Sequence, residues 1–127
     1  MPGATPRTIA APVSNVDLAP TIADLAGVTP TIPEDGESLV PLLDGTASDL
    51  NRSILLRCVP LPHGLHPPKC WAIRTHRWKY IETVRTGERE LYDLSVDPYE
   101  LANLDGQPAY AETEADLARR LDKLRGP

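Results

Sequence analysis

Four side chains able to ligate a metal fall in one short stretch, Cys58-x4-His63-x2-His66-x3-Cys70. Thiolate and imidazole together suit a tetrahedral zinc ion, and a loop of this length can fold around one. The spacing matches no zinc finger. The same residues also fit a Cys58–Cys70 disulfide across the base of a hairpin, or two free, half-buried thiols with solvated histidines between them. Free thiols are the expectation here, and no metal is assigned to the chain.

Other constellations carry less. Ser14, Ser38, Ser48, Ser53 and Ser95 lack a Gly-x-Ser-x-Gly context and read as caps and turns. The Asp-Gly pairs at 35–36, 44–45 and 105–106 read as turn chemistry rather than as a carboxylate cluster. There is no Asp-x-Asp-x-Asp calcium loop, glycine-rich phosphate loop or dinucleotide fingerprint. The run from Trp71 to Tyr80 interleaves Arg74, Arg77, Lys79, Trp78 and His76, a composition that can hold anions or sugars. Strand alternation places Trp71, Ile73 and Thr75 on one face and Ala72, Arg74 and His76 on the other. One core face and one wet face is therefore expected, unless Arg74 is buried against a carboxylate.

Elements follow from local chemistry. Residues 17–27 read as a short helix, with Asp17 as N-cap, Pro20 in the first turn and Gly27 as left-handed stop. Its apolar face is Leu18, Ile22, Leu25 and Ala26. The same grammar recurs at 38–45, where Ser38 caps, Pro41 sits in the first turn and Gly45 stops. Strands are predicted at 53–59, 70–76, 77–84 and 89–94, with a proline-rich loop at 60–69 and a turn at 85–88. Asp97-Pro98 opens a further turn or a one-turn helix through Glu100 and Leu101. A last helix starts at Pro108 and carries Tyr110, Leu117, Leu121 and Leu124 on one stripe. The fold class expected is α+β: a small antiparallel sheet of three to four strands packed by a C-terminal helix.

Composition bounds the function. The chain has 127 residues with 13 basic and 18 acidic side chains, a net charge of −5, which argues against a nucleic-acid binder. No apolar run approaches ~18 residues, so no membrane span is expected. Met1 to Pro12 lacks the pattern of a secretory leader. Two cysteines are too few for a disulfide-rich scaffold.

Three segments resemble the sulfatase family. Val13 to Gly27 is similar to its "vsn-D-l-a-P-T-l-l-d-l-a-G" helix, and Asp35 to Gly45 to its "D-G-x-S-L-x-P-L-L-x-G" segment. Ala72 to Ile81 with Glu90 to Leu104 resembles its C-terminal "a-i-R-t-x-r-y-K-Y-i … E-L-Y-D-L-x-x-D-P-x-E-x-x-N-L". The segments stand in family order, nearest the arylsulfatase and glucosamine-6-sulfatase-like branch. The resemblance implies the C-terminal portion of an alkaline-phosphatase-like sulfuric ester hydrolase. In that family a formylglycine arises in Cys/Ser-x-Pro-Ser-Arg, and a calcium-type ion sits on Asp and Asn residues. Both would lie upstream of residue 17. Cys58-Val59-Pro60 begins like the formylglycine segment, but Leu61 and Pro62 replace its Ser and Arg, so Cys58 inherits no catalytic role.

On this reading residues 1–50 form an arm and two short helices that pack on a missing N-terminal catalytic domain. Residues 51–127 form the C-terminal subdomain. No catalytic residue or cofactor is assigned to the chain itself, and calcium is expected in the full-length family. His63, His66, Lys69 and Arg74 are the candidates for a substrate rim. Two other readings compete: a sulfated-glycan binding module using Arg74, Arg77, Lys79 and the 60–69 loop, and a non-catalytic partner subunit or homodimer joined through exposed helix faces.

Overall fold

The computed structural model describes residues 8–59 and 68–126. The chain divides into two compact units, Met1–Arg52 and Ser53–Pro127.

The first unit is built on α1 (Leu18–Ala26) and α2 (Val40–Asp44), with a one-turn 3-10 segment at Asn15–Asp17 leading into α1. Both helices end on glycines in the left-handed region, Gly27 at φ 67° and Gly45 at φ 88°, as their sequences predict. Ser38 departs from its predicted role: Leu39 holds the N-cap position of α2 without a side-chain cap, and Ser38 Oγ accepts the Val40 amide at 3.2 Å from one residue further out. Asp17 departs from expectation, because its carboxylate does not cap α1. It is fully buried. One oxygen accepts the Ser14 amide at 2.7 Å, and the other accepts the Glu37 amide at 3.2 Å and Arg52 Nη1 at 2.7 Å. Arg52 Nη2 completes a bidentate pair. The Arg52 bond holds the Asp17 carboxyl down to about 2 against the opposing cost of burial. One carboxylate thus ties together three stretches of chain. Thr21 adds a second tie: its hydroxyl donates to Asp17 O at 2.5 Å and accepts the Leu39 amide at 2.9 Å.

Gly36 makes this arrangement possible. A Cβ there would overlap the Val16 carbonyl and lie 2.8 Å from the Asp17 amide nitrogen. Gly36→Ala is expected to cost about 1–3 kcal/mol, as overpacking against rigid backbone does. A lowered urea midpoint with an unchanged m-value would be the signature.

The α1 face predicted to be apolar is real but uncovered. Leu18, Ile22 and Leu25 are 58%, 66% and 56% exposed. In α2, Leu42 is buried and Leu43 exposed.

The second unit is an antiparallel meander, β1 (Ile54–Cys58), β2 (Cys70–Arg74), β3 (Trp78–Thr83) and β4 (Arg89–Asp93), in sheet order β1-β2-β3-β4. A 3-10 turn at Pro108–Tyr110 leads into α3 (Ala111–Arg125). Register aligns Leu55, Ile73, Tyr80 and Leu91 in one row across the four strands. Leu117 and Leu121 of α3 pack on that row to form the core, with Trp71, Trp78, Tyr110 and Ala118 around it. Leu124 keeps its place on the predicted stripe, but it lies in the last turn and is 43% exposed.

The opposite face of the sheet is not the wet one expected. Cys70, Ala72, Thr83 and Tyr92 are all buried on it. Part of the reason is local, since the segment after β4 folds back and Glu100 meets Lys79 of this face at 2.6 Å. Burial pushes the Tyr92 hydroxyl up to about 12, aided by its bond to Glu90 at 2.5 Å.

Candidate functional site

Strand β2 positions two of the four predicted rim residues, and it separates them. Lys69 immediately precedes the strand and is exposed, its carbonyl accepting the Val84 amide at 2.9 Å. Arg74 closes the strand. Five residues of extended chain span about 17 Å, so these two cations serve opposite ends of the sheet. His63 and His66 lie outside the described residues, in the segment that runs into Lys69. Arg74 is half-exposed, and its Nη1 reaches the His76 carbonyl at 3.5 Å. Among the described residues no buried Arg74–carboxylate pair is formed.

The rest of the cationic run is neutralised from within. Arg77 Nε donates to both Asp93 oxygens at 3.0 Å and its Nη2 donates at 2.6 Å, while the guanidinium lies 4.6 Å over the Trp78 ring. Asp93 is buried and also accepts the Ser95 amide and hydroxyl, at 3.1 and 2.6 Å. Its carboxyl is held down to about 2, first by Arg77 and then by Ser95. Lys79 is spent on Glu100, a residue at φ 58°. That strained turn is braced by Asp97, whose carboxylate accepts the Leu101 and Ala102 amides at 2.8 and 2.9 Å. The Asn103 side chain then pins the outer edge of β4, accepting the Leu91 amide and donating to Arg89 O. The Asp-Pro-x-Glu-x-x-Asn-Leu segment is therefore architectural: it supplies counter-charges and backbone partners to β3 and β4.

These pairs make an acid transition predictable. Asp17 and Asp93 have pKa values near 2 in the folded protein, below the ordinary 3.8. The unfolded chain binds more protons between those values, so stability rises with pH there. Full stabilisation is expected above pH ~4, with progressive loss as pH falls through ~2. Solvent screening reduces the Asp93 share, because the Arg77 side chain is 56% exposed. Urea midpoints measured from pH 6 to pH 2 should fall, and should fall less steeply in Asp17→Asn.

The two cysteines correct the expectation of free thiols. Cys58 and Cys70 face each other on the last rung of the β1–β2 ladder, their Cα atoms 4.8 Å apart, and they are disulfide-bonded. The thiolates a zinc site would need are consumed by that bond. Among the described residues no three His, Cys, Asp or Glu side chains converge as a metal site requires. An open depression of about 620 Å³ is lined by Gly87, Glu88, Arg89, Glu90, Asn103 and Asp105. Burial, then Glu114, raises the Asp105 carboxyl. Arg89 and Asn103 are already committed there to Glu114 and to β4, so the depression reads as structure. No helix of the described chain is long and apolar enough to cross a membrane.

Comparison with known proteins agrees with this anatomy. The chain is 36% identical over 121 residues to a choline-sulfatase of Rhizobium meliloti, covering 91% of this chain and 22% of that protein. It is 32% identical over 117 residues to an N-acetylglucosamine-6-O-sulfatase of Bacteroides thetaiotaomicron, covering 87% and 21%. The structure of BT4656 in complex with its substrate D-glucosamine-2-N,6-O-disulfate superposes with a TM-score of 0.75 at 32% identity, covering 87% of this chain and 23% of that one. The sheet and its C-terminal helix are thus those of the C-terminal region of alkaline-phosphatase-like sulfatases, and this chain spans about a fifth of the length of the curated relatives it matches. The model for N-sulphoglucosamine sulphohydrolase, C-terminal, matches residues 2–126, and the chain belongs to that sulfatase family.

Proposed function

We propose that this chain is the C-terminal part of a sulfuric ester hydrolase, that it works together with an N-terminal catalytic portion, and that it does not hydrolyse sulfate esters alone. The observation that supports this most is the α1 face. Leu18, Ile22 and Leu25 lie on one side of a helix in a fully family-like segment, yet more than half of each is exposed. Apolar surface of that kind marks an interaction site. The turn after β4 adds Tyr99 and Leu101, 81% and 84% exposed on a segment held rigid by Asp97 and by the Lys79–Glu100 pair. A catalytic portion would cover such surfaces and would supply the formylglycine and the calcium-type ion.

In this arrangement the segment carrying His63 and His66, with Lys69 at its end, is the substrate rim. Arg74 belongs to the other end of β2 and is left out of it. A sulfated sugar is the substrate class, in keeping with the N-acetylglucosamine-6-O-sulfatase among the relatives. The rival glycan-binding module loses two of its three named cations, because Arg77 and Lys79 are already paired.

The test has two arms. Intact mass of the polypeptide captured from its own source is expected at several times 13.9 kDa, given the length of the relatives. The chain by itself is expected to turn over no aryl sulfate at any calcium concentration. Turnover by the isolated chain, abolished by a Cys58 substitution, sinks the proposal.

A further inference from the structure

Strand β1 is one edge of the sheet, and β2 is its neighbour. Its two ends are held differently. At the start, Arg120 of α3 donates to Ser53 Oγ, and Leu55 packs against the core. Beyond Leu55 the strand stays paired with β2 but is less covered: Leu56 and Arg57 are exposed, with Arg57 resting 5.0 Å over the Trp71 ring. The ladder then stops at Cys58↔Cys70. Past that rung Lys69 is still held on the β3 side by Val84, whereas Val59 is 55% exposed.

An edge strand with one polar anchor frays from its other end, and a frayed edge is a template for pairing with another chain. We propose that Cys58–Cys70 is a structural clasp, formed in an oxidising compartment, that locks the last rung of this edge and closes the 12-residue separation between its cysteines into a ring. The proposal stands independently of the sulfatase reading. Formation is ordinary thiol–disulfide exchange. One cysteine thiolate attacks the disulfide of an oxidoreductase or of oxidised glutathione and forms a mixed disulfide. The second cysteine displaces it, and the donor leaves as two thiols carrying the two protons of the protein's cysteines. Cys70 is 4% exposed and Cys58 half-buried, so a reductant approaches the bond from the Cys58 side.

Two measurements test it. The protein captured from its own source is acid-quenched, alkylated and weighed. No alkyl group is expected before reduction and two after it; two alkyl groups without reduction overturn the proposal. Hydrogen exchange is then compared between the native protein, the dithiothreitol-treated protein and the Cys58→Ser/Cys70→Ser variant. Amides of residues 56–58 are expected to exchange about tenfold faster or more once the bond is gone. The thermal midpoint is expected to fall by on the order of 10 °C. Equal exchange at 56–58 with and without the bond removes the clasp role, and the dithiothreitol arm reads this even if the double variant fails to fold.

Discussion

Asp17→Ala is expected to cost about 3–5 kcal/mol, because it strands a charge the fold has taken out of water. The Asp17 side chain is completely buried and the Arg52 side chain is 13% exposed. The carboxylate satisfies both Arg52 terminal nitrogens and the Ser14 and Glu37 amides. Truncation leaves all of these donors without their acceptor, and a buried guanidinium cannot shed its proton to escape the penalty. Asp17→Asn keeps the shape but not the charge, so its loss should be smaller. No Trp or Tyr lies in the first unit, so intrinsic fluorescence does not report on it. Hydrogen exchange does. Amides of Ser14, Glu37 and Leu39 should lose protection together in Asp17→Ala. Retained protection at Glu37 and Leu39 would show that the tie is not what holds this segment.

Tyr80→Ala is expected to be equally severe in the second unit, about 3–5 kcal/mol. Tyr80 has no exposed surface and sits at the centre of the row formed with Leu55, Ile73 and Leu91, directly in the core cluster with Leu117 and Leu121. Removing the ring opens a cavity among side chains already fixed by sheet register and helix packing. A unit of this size has roughly 5–10 kcal/mol of stability in total, so the variant should sit near its unfolding midpoint. Tyr80→Phe separates ring from hydroxyl. It loses the 2.8 Å bond to Glu82 and is expected to cost about 1 kcal/mol. Burial, reinforced by Glu82, raises the Tyr80 hydroxyl well above its ordinary pKa, so the phenol stays neutral through the working pH range. Emission from Trp71 and Trp78, both packed around the cluster, gives the urea midpoint. A midpoint for Tyr80→Ala within error of Tyr80→Phe would refute this account of the core.

The two variants probe residues of different legibility. Tyr80 belongs to the strand predicted over 77–84, so its extended conformation is legible, while period two alone leaves open which of the two faces meets α3. Asp17 is visible in the sequence as a helix-start acid, but its decisive partner is Arg52, 35 residues away. Nothing local marks that pairing. The cationic run poses the same problem. Arg77 and Lys79 look like free positive charge until Asp93 and Glu100, 16 and 21 residues further on, are folded against them. Of the four rim candidates, Lys69 and Arg74 are close in sequence and far apart in space, because an extended strand converts each residue of separation into length.

What the sequence by itself determined is what is decided within a few residues: the glycine stops of both helices, the alternation of the strands, the turn before β4, and family membership through the order of its segments. Left-handed φ and side-chain alternation depend on nearest neighbours, so they are written locally. Only the tertiary structure decided which charges neutralise which, that Cys58 and Cys70 share a rung and are bonded rather than free, that the second face of the sheet is buried, and that the α1 face is left bare. Each of these depends on register or on surface supplied by distant chain, and residue type is silent on both.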